Sequence, residues 1–219
     1  VMSAHDLNTA KNKQDFKIGM LTALWGLVVS IVFFSMVKYQ NSASVVFEHP
    51  QELPQQFAMS EGRDVLIMAL HPHCPCSRAS LGEMQKLQTK LDEKVRVVVL
   101  VYIPDGQDKE WSEGFSIAQM NQMNLEVHYD TDGRICRELG LNTSGETLLY
   151  DANGTLRFSG GITASRGHAG SNYGIEFIQD AIRGEEPERA ETPVFGCAIR
   201  GSEIEDPCSN GESRSCNVE

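Results

Sequence analysis

The sequence predicts an α/β domain carried behind one N-terminal transmembrane helix. Three observations predict it: an uncharged apolar run from Ile18 to Val37, strand and helix patterns that alternate from Asp64 to Ile182, and a cysteine-bearing loop, His71 to Arg78, set between a strand and a helix. With 219 residues the chain accommodates one domain plus appendages. Its 41% hydrophobic content is too high for a disordered chain and too low for a polytopic membrane protein. A net charge of −11 with no stripe of Lys and Arg excludes nucleic acid as a partner, because phosphate binding needs clustered cations. Six cysteines are too few for a disulfide-stapled mini-protein of this length.

The apolar run Ile18–Val37 (residues 18–37) is flanked by Lys17 and Lys38. At about 1.5 Å per residue its roughly 20 residues span a hydrocarbon core of about 30 Å. It is apolar on every face, unlike a buried amphipathic helix. It is also longer than the apolar region of a cleaved signal peptide, and Asn41-Ser42-Ala43-Ser44 is a weak cleavage site. Lys11, Lys13 and Lys17 precede the run and only Lys38 follows it before Arg63, so the positive-inside rule places residues 1–17 in the cytoplasm and residues 39–219 outside. In a Gram-negative bacterium this is a single-pass inner-membrane protein with a periplasmic C-terminal domain. All six cysteines lie after the run, in a compartment where disulfides persist.

Residues 44–184 hold the domain. Asp64–Leu70 is a short apolar strand, and Leu81, Met84, Leu87 and Leu91 recur at helical spacing. Val95–Ile103 is apolar on both faces, as a central covered strand should be. Glu110–Met123 reads as a helix, Leu125–Tyr129 as a strand and Gly133–Leu139 as a short helix. Thr147–Asp151 and Thr155–Ser159 form a hairpin around Ala152-Asn153-Gly154, and Ile175–Ile182 is a final helix. The order is β-α-β-α-β-α-β-β-α. Residues 185–219 form an acidic extended tail, docked near Pro193-Val194-Phe195.

The loop His71-Pro72-His73-Cys74-Pro75-Cys76-Ser77-Arg78 carries the chemistry. A thiol at a helix N-terminus feels the positive end of the macrodipole and unpaired N–H groups, which favour thiolate. His73 and Arg78 add positive charge, and Pro75 fixes one backbone angle between the sulfurs and suits a first helical turn. A low thiol pKa with solvent access is what thiol–disulfide exchange requires. A disulfide between Cys74 and Cys76, with one residue between them, closes a small ring and is expected to be labile. Two alternatives stand beside it. Each cysteine can pair structurally with a distant one such as Cys197, or His71, His73, Cys74 and Cys76 can bind Cu(I) or Zn.

Strand, cysteine loop, helix, strand, hairpin and last helix together look like the thioredoxin fold. Residues 140–154, GLNTSGETLLYDANG, are similar to a region of membrane-anchored TlpA-like thioredoxins. A closer resemblance is to the RedB-like group of anchored thioredoxin-like proteins. It is carried by HPHCPCSRASLGE (71–83), TSGETLLYD (143–151), FSGGIT followed by SRGH (158–168) and PVFGC (193–197). The resemblance implies a thioredoxin-like fold and a membrane-anchored location. The chain departs from thioredoxins in two places. Its motif lacks their Cys-x-x-Cys spacing, and Cys74 is favoured as nucleophile because it is nearer the exposed end of the loop. Where thioredoxins place a cis-proline whose backbone pairs with the substrate chain, Gly145 stands here, preceded by Ser144.

The resulting expectation is a periplasmic thiol–disulfide oxidoreductase with Cys74 as nucleophile, Cys76 as resolving thiol, and His73, Pro75, Ser144 and Gly145 in support. Its partners are membrane lipid, through residues 18–37, and other membrane or periplasmic proteins. No cofactor and no resident metal are assigned. The alternatives are a copper-binding assembly factor using the His and Cys cluster and a non-catalytic accessory subunit of a membrane complex. Cys208 and Cys216 are expected to form a local disulfide, Cys136 to be buried, and Cys197 is a candidate resolving thiol or tether. The loop around Arg166 and His168 is expected to be solvated, Trp111 and Phe115 to be core, and His49 and His128 to lack partners.

Overall fold

The computed structural model describes residues 4–57, 62–91, 95–123, 125–185 and 190–200, with side chains from residue 14 onward. The expected disulfide between Cys208 and Cys216 lies outside the described residues, as do most of the acidic tail and the linker 186–189. The chain divides into two units, Val1–Ser42 and Ala43–Glu219.

The first unit is helix α1, Ala4–Gln40. Within it Gln14–Gln40 is long and apolar enough to cross a membrane, and it contains the predicted run. Trp25, Phe33 and Phe34 point outward and are exposed, so the helix offers apolar surface around its circumference. The hydroxyls of Thr22, Ser30 and Ser35 donate to the carbonyls of Gly19, Gly26 and Ile31 at 2.8–2.9 Å. Each hydroxyl of the predicted run 18–37 is thereby satisfied within its own helix, as a lipid environment demands.

The second unit is built on a six-stranded sheet in the order β3-β2-β1-β4-β5-β6. The strands are β1 (Asp64–Leu70), β2 (Val95–Ile103), β3 (Glu126–Thr131), β4 (Glu146–Tyr150), β5 (Leu156–Gly161) and β6 (Glu191–Thr192). The helices are α2 (Ser77–Gln88), α3 (Phe115–Met120), α4 (Arg134–Glu138) and α5 (Tyr173–Ile182). β1, β2 and β3 are mutually parallel, β4 runs antiparallel to β1 and to β5, and β6 adds parallel to β5. This is the thioredoxin-like arrangement that the sequence predicts, with one strand added from the tail.

Alternation along β1 explains why the sheet is buried on both faces. Leu66, Met68 and Leu70 join one core with Leu81 and Met84 of α2, Val99 of β2, Phe158 of β5 and Ile178 of α5. Val65, Ile67 and Ala69 join the other with Val98, Cys136, Leu148, Tyr150 and Ile199. The predicted helix 110–123 is broken: a 3₁₀ turn covers Lys109–Ser112, and α3 starts only at Phe115. Trp111 is therefore half-buried beside the cysteine loop and Phe115 is exposed, which corrects their assignment to the core. Cys136 is buried as expected. The tail is not merely extended. Besides pairing as β6, it buries Val194 and Ile199, and the Ser44 N–H donates to the Val194 carbonyl at 2.8 Å.

Phe158→Ala removes a fully buried ring from the centre of the larger core. The substitution is expected to cost about 3–5 kcal/mol, read as a lowered urea midpoint with an unchanged m-value.

Candidate active site

β1 ends at the sheet centre, and the loop that follows delivers its cysteines to the start of α2. The loop is wired internally. The Cys74 N–H donates to the His71 carbonyl, and the Ser77 N–H to the Cys74 carbonyl, both at 3.1 Å. Ser77 Oγ donates to the His71 carbonyl at 2.8 Å, and the His71 N–H donates to Ser144 Oγ at 2.9 Å. Ser77 Oγ and Ser144 Oγ are also 2.8 Å apart. Ser144 therefore ties the segment before β4 to the cysteine loop.

Gly145 follows with φ of +91°, and its N–H donates to the Ala69 carbonyl at 2.8 Å. A Cβ there would collide with Ser80 Oγ. Glycine is needed for both conformation and space, and its N–H is in use, so proline fits none of the requirements of this position. No cis peptide bond occurs among the described residues.

The structure brings a third sulfur to the pair. Cys197 Sγ lies 2.6 Å from Cys74 Sγ, and the sulfurs of Cys74, Cys76 and Cys197 all lie within 4.8 Å of one another. The tail is held there by its backbone. The Ser144 N–H donates to the Cys197 carbonyl and the Ile199 N–H to the Asn142 carbonyl, both at 2.8 Å, and Ala198 bridges Thr143 in antiparallel sense. Gly196 packs so closely on the Ser144 carbonyl that a Cβ would clash with it. The receiving loop is braced from beneath. Glu146, fully buried, accepts from the Asn142 and Thr143 N–H groups at 2.8 and 3.1 Å. His49 does have a partner: its Nδ1 lies 2.9 Å from the Leu139 carbonyl, with Nε2 3.6 Å from the other Glu146 oxygen; His128 pairs with Glu126 at 2.6 Å.

The three thiols are not equivalent. The hydrogen bond with the Cys197 thiol is the main cause that pushes Cys74 down to about 5. Burial opposes it, and backbone N–H groups of Cys197, Cys76 and Ser77 add to it. Cys197 is pushed up in turn, chiefly by Cys74. Burial, followed by the Cys74 charge, pushes Cys76 up. Arg166 opposes the upward shifts of both Cys76 and Cys197. Its guanidinium Nη1 donates to the Gly196 carbonyl. Arg166 is thus a site residue, where the sequence suggested a solvated loop; its partner in that motif, His168, is exposed. The loop is anchored to α2 by the Gly170 N–H, which donates to Glu83 at 2.8 Å.

Two expectations need correction. Cys74 was favoured for exposure, yet only 4% of its surface is accessible, because the tail lies over it. The histidines of the motif are not members of the sulfur cluster. His73 packs on Trp111 with ring centroids 4.4 Å apart, and His71 stacks on Tyr102 at 5.5 Å. The thiolate-favouring role expected of His73 falls to Cys197 and to backbone N–H groups. Pro75 is exposed between the two cysteines. Trp111 carries no motif signal, but Cys197 was visible as a cysteine in PVFGC.

A lowered pKa means that Cys74 is thiolate above its midpoint and loses reactivity as pH falls through it. Alkylation of Cys74 in the reduced protein is expected to run at full rate near neutrality and to halve close to pH 5. Cys76 is expected to be labelled only on the alkaline side of an ordinary thiol. Peptide-resolved labelling across pH 4–10 checks both.

No family model matches the chain. Thiol:disulfide interchange protein DsbE of Tatumella citrea is 31% identical over 111 residues, covering 51% of this chain and 56% of the relative. The protein of the same name from Escherichia coli K12 is 30% identical over 112 residues, with the same coverage. The chain therefore spans about half the length of the curated relatives it matches. A conserved protein of known structure from Geobacillus kaustophilus superposes with a TM-score of 0.54 at 18% identity, over 74% of this chain and 94% of that one. The chain has a thioredoxin-like fold and, over about half its length, is similar in sequence to thiol:disulfide interchange proteins.

Proposed function

We propose that the protein is a membrane-anchored thiol–disulfide oxidoreductase whose domain faces the periplasm and acts on cysteines of exported proteins. The observation that supports this most is the placement of two cysteines at the start of α2, Cys74 and Cys76, with their sulfurs within 4.8 Å of each other and with hydrogen bonds that favour the Cys74 thiolate. Cys74 is the nucleophile. Its thiolate attacks one sulfur of a substrate disulfide, the other sulfur leaves as thiolate, and Cys76 then attacks Cys74 Sγ to release the reduced substrate. Ser144 and Gly145 set the backbone edge beside the nucleophile. Residues 18–37 anchor the domain in lipid, residues 1–17 stay in the cytoplasm, and 44–184 form the working domain with 185–219 as its tail. The partners are other membrane or periplasmic proteins.

A second reading, copper binding for metal-centre assembly, is favoured by the three clustered sulfurs, since soft thiolates suit Cu(I). Its ligands would be Cys74, Cys76 and Cys197, not His71 and His73.

The test is insulin reduction by the full chain in detergent with dithiothreitol as electron donor. The parent protein is expected to accelerate precipitation of the insulin B chain. Cys74→Ser is expected to fall to the uncatalysed rate, and a variant with both Cys76→Ser and Cys197→Ser to accumulate a mixed disulfide on Cys74 once dithiothreitol is removed. Cys74→Ser activity equal to that of the parent would overturn the reading. One copper per chain in the same reducing preparation, with no insulin reduction, would favour the metal reading.

A further inference from the structure

The tail creates a contradiction that the exchange reaction alone does not resolve. A substrate sulfur must approach Cys74 Sγ in line, yet that sulfur is covered and its nearest neighbour is Cys197 Sγ. The segment around Cys197 does more than cover. It runs antiparallel to residues 142–144, with hydrogen bonds at and just after Cys197: its carbonyl receives the Ser144 N–H, and the Ile199 N–H reaches the Asn142 carbonyl. Val194 and Ile199 are buried on either side, and Arg166 grips the Gly196 carbonyl. An extended peptide presenting a cysteine to Cys74 would need these same backbone groups and this same sulfur position.

We propose that Cys197 is a third redox thiol of the site, carried on a tail that occupies the substrate's place, and that Cys74 alternates between disulfides with Cys76 and with Cys197. The proposal rests on the exchange reading above and deepens it. After a substrate protein disulfide has been reduced, the site holds a disulfide between Cys74 and Cys76. The Cys197 thiolate then attacks Cys74 Sγ. The bond between Cys74 and Cys197 forms, the bond between Cys74 and Cys76 breaks, and Cys76 leaves as thiolate and takes up the proton that Cys197 lost. No net oxidation occurs in this step. Arg166, on the Gly196 carbonyl next to Cys197, is placed to favour a thiolate there. A protein dithiol then attacks Cys197 Sγ, Cys74 leaves as thiolate, and the second thiol of that dithiol displaces Cys197 from the mixed disulfide, which returns all three thiols to the reduced form and leaves the dithiol oxidised.

The experiment equilibrates the full chain in detergent across a series of glutathione redox buffers, quenches with acid, traps free thiols with N-ethylmaleimide and maps tryptic peptides without reduction. Residues 64–78 carry Cys74 and Cys76 on one peptide, and residues 190–200 carry Cys197 on another. At intermediate potentials a cross-linked pair of these peptides is expected, with Cys76 alkylated, alongside the internally closed 64–78 peptide. The cross-link is expected to be lost in Cys74→Ser and in Cys197→Ser, and retained in Cys76→Ser. Gly196→Ala, which pushes the tail off the Ser144 carbonyl, is expected to raise the labelling rate of reduced Cys74 by about tenfold. Closure of Cys74 on Cys76 with Cys197 alkylated at every potential would overturn this proposal and leave the exchange reading standing. A cross-link that persists unchanged through the most reducing buffers would be a static staple and would also overturn it. Failure of Cys74 to pair with any cysteine would remove the exchange reading itself.

Discussion

The contact between the sulfurs of Cys74 and Cys197, 2.6 Å apart, is the constraint on which the site depends. It sets the third sulfur against Cys74, and it covers the Cys74 sulfur. Both effects follow from the docking of residues 193–199 against residues 142–144. The two backbone hydrogen bonds at Ser144 and Ile199 contribute about 0.5–1.5 kcal/mol each. Burial of the Val194 and Ile199 side chains contributes about 1.5–3 kcal/mol each, offset by the cost of ordering the tail. A sum of this size permits local opening without unfolding the domain. The tail can therefore open locally while remaining docked at rest.

The docking edge has its own support. Glu146 is buried with one oxygen on the Asn142 and Thr143 N–H groups, and burial pushes its carboxyl up in pKa. Those hydrogen bonds satisfy two backbone donors that would otherwise be orphaned in the interior. They also fix the loop in the shape that presents the Asn142 carbonyl and the Ser144 N–H to the tail. A chain of contacts thus runs from His49 through Glu146 and the 142–144 loop to Cys197 and Cys74. On the other side, Ser144 Oγ and Ser77 Oγ lock the same loop to the cysteine motif. Gly145 completes it by turning the chain where no side chain fits.

Much of this was legible in the sequence. β1 and β2 fall on the predicted residues because their apolar runs are continuous, as strands covered on both faces must be. The cysteine loop was recognisable from its place between strand and helix. The tail was harder to read. Val194 and Ile199 stand singly in a polar stretch, and neither periodicity nor composition says that a distant loop receives them. The exposure of Cys74 was misjudged for the same reason, since position within a loop says nothing about what lies over it. Trp111 was misplaced because the i, i+4 pair with Phe115 assumed one continuous helix, whereas the chain leaves the helical path between Ser112 and Phe115. The long-range partner of Glu146, His49, lies almost a hundred residues away and carries no local signal.

The central claim is that the Cys197 thiol holds Cys74 as a thiolate. Thiolate absorbance at 240 nm, followed against pH in the reduced parent chain and in Cys197→Ala, tests it most directly. The account predicts a first inflection near pH 5 in the parent, from Cys74, and its displacement toward the ordinary thiol range when the sulfur at position 197 is removed. The same inflection in both proteins, or a parent chain with none below the ordinary thiol range, would contradict it.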